Sequence, residues 1–397
     1  RISHKDKGPS PPSPRVSAWF LPGSSAGSCL LRERRLGRAG KSREGCFRGA
    51  QGQVGSGRFL TLSSSNSVRA LRARPARAAM GLISSLIPSS DPRHKLAASH
   101  AKTPRPAPGD ILKDSYFLND DGLYIFVARW LPQGRPKALV LLLHGSGDHC
   151  GRLFPLAEAF QASGCACLAM DHQGNGRSEG DRMHVERYAH LVRDVQRMLG
   201  IELGRSPQLG GLPRFLFGHS AGAVIALDVA AAASAAGEPF AGMVLTSPML
   251  YVDPATTSAF NLAAGRLLSN LLPKWPVPWV LGPDCPVSSH PPAQAMWDAD
   301  PLVYRGAMRP RQSMELFEAL QGAQRAAGDV TIPYLAFHGT ADKVCLMEGT
   351  EAWHARTSSR DKELVILEGA CHEVLHEGDE TRGRVMSAVV DWVAKRA

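Results

Sequence analysis

The sequence predicts an α/β protein with a mostly parallel sheet wound by helices on both faces. Three observations carry this. Short apolar runs alternate with segments of helical apolar spacing from about residue 137 onward. The first such run, "KALVLLLHG" (137–145), is continuously apolar, as a strand buried on both faces must be. The chain has 397 residues, 44% of them hydrophobic, enough to bury the core of one large domain or two modest ones.

The elements follow in order. "DSYFLNDDGLYIFVARWLP" reads as two short strands around Asp120-Asp121-Gly122, a hairpin turn signal. Beyond the 137–145 strand, residues 152–164 place Leu153, Leu156, Ala157 and Phe160 at helical spacing. "ACLAMDHQG" (166–174) is strand-like. Residues 185–199 put Tyr188, Leu191, Val192, Val195 and Leu199 on one helical face. "RFLFGHS" is a strand running into a helix from about Ala221, and "GMVLTSP" (242–248) is a further strand. The alternation breaks near 249 and resumes at "IPYLAFHG" (332–339), so residues 249–328 read as an inserted helical subdomain. "ELVILEGACH" (363–372) is strand-like, and a closing helix carries Val385, Val389, Trp392 and Val393. Alternating strands and helices of this kind make βαβ units and hence a parallel sheet.

Residues 111–397 hold this pattern; residues 1–110 do not. Residues 1–79 contain sixteen Lys/Arg against three Asp/Glu, a local +13. The whole chain carries +10, so the rest carries −3 and offers no basic track for phosphates. No nucleic-acid partner is expected for the globular part. The basic segment lacks apolar periodicity, and disorder is its default. Three readings stand for it: a transit peptide to a plastid or other organelle, a non-native stretch upstream of the true start, or an RNA-binding tail. "MGLISS" (80–85) fits the N-myristoylation pattern at Gly81 if Met80 is the initiator, and otherwise is a chance match. Prolines at 88, 92, 104, 106 and 108 make 86–110 a linker. The eight cysteines are scattered without metal spacing and read mostly as reduced thiols, which favours a reducing compartment, cytoplasmic or at a membrane periphery. No run of about 18 apolar residues suggests a membrane span.

"FGHSAG" (217–222) carries the chemistry. A strand runs into it and a helix out, as a nucleophile elbow at Ser220 requires; the alternative is a serine capping the helix. A serine hydroxyl needs a base, and the base needs a carboxylate to orient it. In this arrangement the chain order is Ser, then Asp/Glu, then His. "HGTADKV" (338–344) supplies Asp342 after one strand, and "GACHEVLHE" (369–377) supplies His372 after the last. Glu351 and Glu368 are weaker orienters, and His376 is the rival base. "HGSGDHCGR" (144–152) follows a strand and is Gly-rich. The amide N–H of Ser146 and that of Ala221 are the candidate donors for an oxyanion. His144 and His149 lack a third ligand at metal spacing, so no metal or organic cofactor is expected. "DHQGNGRSEG" (171–180) does not match a phosphate loop and reads as structural, with Asp171 and Arg177 fixing its geometry.

Taken together, "HGSGDHCGR", "DHQGNGRSEG", "GHSAG", "MVLTSPML", "DADPLVYRG", "HGTADKVC" and "EGACHEVLHE" resemble the α/β-hydrolase superfamily, and within it the monoacylglycerol lipase or lysophospholipase-like (serine aminopeptidase S33) branch. The resemblance spans about 115–397. It implies an eight-stranded α/β-hydrolase sheet with a helical lid at 249–328, a triad of Ser220, Asp342 and His372, and oxyanion donors at Ser146 and Ala221. It also implies that Asp148, Arg152 and His376 lie at the polar end of the pocket, against the substrate's alcohol. The implied substrate is a lipid ester, a monoacylglycerol or lysophospholipid. Rivals are a small-molecule esterase, a thioesterase or an acyltransferase on the same triad, and a binding protein on an inactive fold. The branch usually reads "GHSMG", where this chain has Ala221, and often "GEH", where it has Asp148-His149. Phe260, Leu262, Leu267, Leu268, Leu271, Leu272, Trp275 and Trp279 either face lipid or a membrane, or only cover the core. Oligomeric state is left open.

Overall fold

The computed structural model describes residues 102–103, 105–107, 115–251, 257–276 and 285–397. The expectations for residues 1–101, the Gly81 acyl signal among them, and for Trp279 fall outside these residues.

The hairpin forms where its turn signal lies. Strand β2 (Tyr116–Leu118) pairs antiparallel with β3 (Tyr124–Trp130), and Gly122 supplies the left-handed turn residue at φ 73°. The continuously apolar runs form the inner strands: β4 (Leu139–Leu143), β5 (Ala166–Met170), β7 (Arg214–His219), β8 (Gly242–Thr246) and β9 (Tyr334–Gly339). Every residue of β4 is fully buried, as two covered faces demand. With β10 (Lys362–Leu367), the strands make one eight-stranded sheet in the order β10-β9-β8-β7-β4-β5-β3-β2. All neighbours from β10 to β5 are parallel; β3 and β2 close the edge antiparallel.

Helices cover both faces. Helix α1 (Phe154–Ala162) and the closing helix, Asp379–Ala394, pack one face through Phe160, Val385 and Trp392. Helices α2 (Tyr188–Arg205) and α3 (Ala221–Ala235) pack the other through Val195, Met198 and Ile225. Between β8 and β9 the chain leaves the sheet and forms α4 (Ala259–Leu271), α5 (Pro291–Ala299) and α6 (Pro310–Arg325). The first two expose apolar side chains, among them Phe260 (80% exposed), Leu271 and Met296. Helix α6 differs: Leu316, Leu320 and Ala323 are buried, so this part of the insertion belongs to the core layer. The remaining helix, α7 (Met347–Arg356), follows β9 and buries Trp353 against Tyr334.

The stretch read as a linker makes a small attachment of its own. Lys102–Thr103 (β1) pairs antiparallel with Gly180–Asp181 (β6), and the Arg105 guanidinium meets Glu179 at 3.2 Å. No described helix is long and apolar enough to cross a membrane.

The strand order fixes where a site can form. Strand β4 lies between β5 and β7, so the chain passes from one side of β4 to the other. That reversal opens a crevice beyond the carboxyl ends of β4 and β7. Ser146 follows β4 and Ser220 follows β7.

Candidate active site

Ser220 stands between β7 and α3 at φ 54°, ψ −120°, a left-handed backbone that a non-glycine residue adopts only under constraint. The constraint is visible on both sides. Its N–H donates to the Thr246 carbonyl at 3.0 Å, and its own carbonyl accepts from Ala223 and Met249 at 3.1 Å each. Its side chain makes no capping bond to α3, which removes the helix-cap reading. The glycines make the elbow possible. A Cβ on Gly222 would lie 2.3 Å from the Leu143 carbonyl oxygen, and one on Gly218 would lie 2.6 Å from the Ala223 Cα.

The candidate base and the candidate orienter meet. His372 Nδ1 donates to Asp342 Oδ2 at 2.8 Å. The other Asp342 oxygen accepts from the amides of Val344 (2.8 Å) and Cys345 (3.0 Å), and His338 Nε2 lies 3.2 Å from Oδ2. Burial opposes ionisation of Asp342, but the hydrogen bonds from His338 and His372 outweigh it and hold the carboxyl well below the usual range. The rival orienters are placed elsewhere: Glu351 on α7 is exposed, and Glu368 lies beyond β10 in the rim of a separate acidic depression.

Ser146 is exposed at the mouth of the crevice, while Gly145 behind it is packed so closely that a Cβ there would meet Ser220 Cβ at 3.0 Å. Ala221 is the first residue of α3, and its N–H therefore has no intrahelical acceptor. Behind this loop His144 is fixed and uncharged. Its Nδ1 donates to the Gly145 carbonyl at 2.7 Å and its Nε2 accepts from the His172 amide at 2.9 Å, while burial keeps its pKa well below the ordinary value. Asp171 holds the far end of the loop by accepting from the Cys150 amide at 2.7 Å, and also takes the Arg177 amide at 2.7 Å. The structural reading of residues 171–180 rests on those two bonds.

Asp148, Arg152 and His376 are brought together, joined by a residue that sequence reasoning passed over. The Glu373 carboxylate accepts from Arg152 at 3.0 Å, lies 2.9 Å from His376 Nδ1, and accepts from His219 Nε2 at 3.2 Å. Arg152 Nε also approaches Asp148 at 3.2 Å, without hydrogen-bond alignment. Burial and the Glu373 charge push the Asp148 carboxyl up to about 7. For Glu373 burial acts the same way, but His219 and Arg152 outweigh it and hold its carboxyl well below the usual range. Its place in the sequence, directly after His372 in "ACHEVLHE", carries no signal of these partners, which come from distant parts of the chain.

Two more supports were also unread. The Ser247 hydroxyl donates to the His372 carbonyl at 2.6 Å, and Met183 Sδ lies 3.7 Å from Ser146 Oγ. Among the described residues, only Met183, Ser220 and Ser247 are non-glycine with positive φ. All three bear on the site, and backbone strain gathers where function needs a fixed geometry. Among the described residues no group of His, Cys, Asp or Glu is arranged to hold a metal.

The insertion is pinned to the loop after β4 and to the loop after β10. Tyr304 donates its amide to the Gly147 carbonyl at 2.7 Å, and His149 Nε2 meets Asp300 Oδ2 at 2.9 Å. On the other side the Glu373 amide donates to the Val287 carbonyl at 2.7 Å, and Glu377 accepts from Ser289 and from the Cys371 amide.

A family model described as Serine aminopeptidase, S33 (Hydrolase_4) matches residues 134–379. The chain belongs to the serine aminopeptidase S33 family. This S33 chain is 34% identical to Monoglyceride lipase of Mus musculus over 301 residues, 76% of this chain and 96% of the relative. It is 35% identical to Monoglyceride lipase of Homo sapiens, covering 75% and 95% respectively. Among solved structures, the monoacylglycerol lipase of Paleococcus ferrophilus aligns with a TM-score of 0.58 at 26% identity, over 69% of this chain and 99% of that one. The S33 fold is that of an α/β-hydrolase.

Proposed function

We propose that this α/β-hydrolase is a serine esterase of lipids and that its substrate is a monoacylglycerol, cleaved to a free fatty acid and glycerol. The observation that carries the proposal is the strained Ser220 elbow after one strand and the hydrogen-bonded His372–Asp342 pair after later strands of the same sheet, in a chain whose relatives are named monoglyceride lipases. Ser220 Oγ attacks the ester carbonyl carbon as His372 takes its proton. The charge that builds on the carbonyl oxygen is met by the amides of Ser146 and Ala221. His372 then protonates the leaving alcohol, and water, deprotonated by His372, hydrolyses the acyl-enzyme and regenerates Ser220. Asp342 stays ionised throughout and keeps His372 in the tautomer with Nδ1 protonated.

The apolar face of α4 supports a lipid substrate. Phe260, Leu267, Leu271, Leu272 and Trp275 are exposed, which suits a surface that meets acyl chains or a membrane better than one that only covers a core. Asp148, Arg152 and His376 gather around Glu373, the residue next to His372, and in this reading they shape the end of the pocket that receives the alcohol.

The test is Ser220→Ala against a panel of a long-chain monoacylglycerol, a lysophospholipid and a short-chain p-nitrophenyl ester, with fluorophosphonate labelling alongside. Loss of turnover and of the label, with the monoacylglycerol favoured by wild type, is the expected result. Undiminished turnover removes the mechanism, a short-chain preference points to a small esterase, and an unlabelled wild type points to a binding protein.

A further inference from the structure

Between the nucleophile and the base runs a second connection that bypasses the crevice. His372 is followed by Glu373, and Ser220 is preceded by His219. Glu373 Oε1 accepts from His219 Nε2 at 3.2 Å. Base and nucleophile are thus each one peptide away from the two ends of a single charge-assisted hydrogen bond. A carboxylate oxygen only accepts, so the proton belongs to His219 Nε2. The other ring nitrogen lies 3.0 Å from Thr246 Oγ1, and the Thr246 carbonyl is the acceptor that fixes the Ser220 amide. The His219 ring also lies against the His372 ring, centroids 4.8 Å apart and planes inclined by 53°.

The carboxylate is itself held rigidly. Its second oxygen takes Arg152 at 3.0 Å and faces His376 Nδ1 at 2.9 Å, while the Glu373 amide donates to Val287. Glu373 is buried, so water does not compete for these bonds. The groups facing it are His219 from β7, Arg152 from the turn before α1 and His376 from its own loop; the Asp148 carboxyl also feels its charge, and Asp300 lies beyond Arg152.

We propose that Glu373 is a positioning residue for the catalytic histidine, setting the reach from His372 to Ser220 through His219. The proposal rests on the triad reading above. Gln at this position sets an NH₂ against His219 Nε2 if the amide turns one way and against Arg152 and His376 if it turns the other, so the connection loses either its bond to His219 or its anchor, without loss of volume. A displacement of about 1 Å at a catalytic group costs on the order of 10²-fold in rate.

The experiment compares wild type, Glu373→Gln, His219→Phe and the double variant, with kcat and the fluorophosphonate labelling rate both expressed per titrated site so that unfolded molecules drop out. His219→Phe keeps a ring against His372 but deletes the bond to Glu373. Each single variant is expected to lose about 10²-fold in kcat and labelling rate, with KM changed by no more than about threefold. The double variant is expected to lose no more than the worse single, because both changes break one connection. A kcat within about threefold of wild type in either single variant overturns the proposal, as do losses that multiply in the double. If Glu373→Gln does not fold, His219→Phe decides alone by the same threshold. Failure of the triad reading looks different: wild type itself takes no label at Ser220.

Discussion

The Sγ of Cys345 lies 3.9 Å from the Oγ of Ser220, and both side chains are buried. Burial pushes the thiol well above its ordinary range, and the Asp342 charge adds to the shift. A protonated thiol is a poor nucleophile, so Cys345 stands beside the reaction without taking it over. Its reaction with a maleimide is expected to be slow at neutral pH and faster as pH rises, and a bulky adduct to abolish turnover. Cys345→Ala should resist the reagent, which separates this site from Cys371 next to the base. Full modification of Cys345 by mass spectrometry with turnover intact would contradict the placement.

Asp342 accepts bonds from two amides and two imidazoles. Asp342→Asn puts an amide NH₂ against donors on one side or the other, and His372 loses its anionic partner. A kcat lower by about 10⁴-fold is expected, with an unchanged circular dichroism spectrum. A loss below about tenfold would show that another group orients the base.

On α2, both carboxylate oxygens of Asp194 accept from Asn119 Nδ2, at 3.0 and 3.2 Å. Burial pushes its carboxyl up to about 7 despite that bond. A carboxyl with a raised folded-state pKa favours folding fully below the unfolded value of about 4, and that contribution is lost as pH climbs through 7. Asp194→Asn retains an acceptor for Asn119 and never ionises. Its melting temperature relative to wild type should therefore rise between pH 5 and pH 8, by a few degrees. A difference that stays flat across that range would rule out Asp194 as the source. Asp148 is raised in the same way and remains in both proteins, so the variant keeps part of the pH dependence.

Gly222→Ala places a methyl against the Leu143 and His144 carbonyl oxygens, at 2.3 and 2.5 Å. These are backbone atoms of β4 and its loop and cannot rotate away. Destabilisation of about 1–3 kcal/mol is expected, together with a loss of activity larger than the fraction unfolded explains. Chemical denaturation and active-site titration on the same sample measure both. Gly237→Ala, whose added Cβ meets nothing within 4 Å but whose φ is 79°, is the comparison that separates crowding from backbone strain.

The sheet was legible because its signals are local. "LVLLL" reads as a strand from five residues, and Asp120-Asp121-Gly122 reads as a turn from three. The Ser220 turn and the Asp342–His372 pair were legible through chain order: a serine on a strand-to-helix turn, then an aspartate and a histidine on later strand ends. Glu373 was not, because its partners lie 154 and 221 residues away in the chain and no short pattern encodes such a meeting. The same holds for Ser247, whose positive φ is imposed by the bonds around it, not by its side chain. Asp148 and Arg152 were singled out by resemblance, yet their approach to each other is visible only in three dimensions. Helix α6 shows a further limit: its buried stripe has ordinary helical spacing, and nothing in that spacing says whether the partner is the core or the insertion.

The pins at Gly147–Tyr304 and Val287–Glu373 fix two points within the insertion, one to the loop after β4 and one to the loop after β10. Helix α5 hangs between them like a span between two piers. Length and composition there can change while the piers hold their places. The span and the loops that hold it are therefore separable parts, and grafting the α5 segment of a related hydrolase between the same piers tests whether that segment sets specificity.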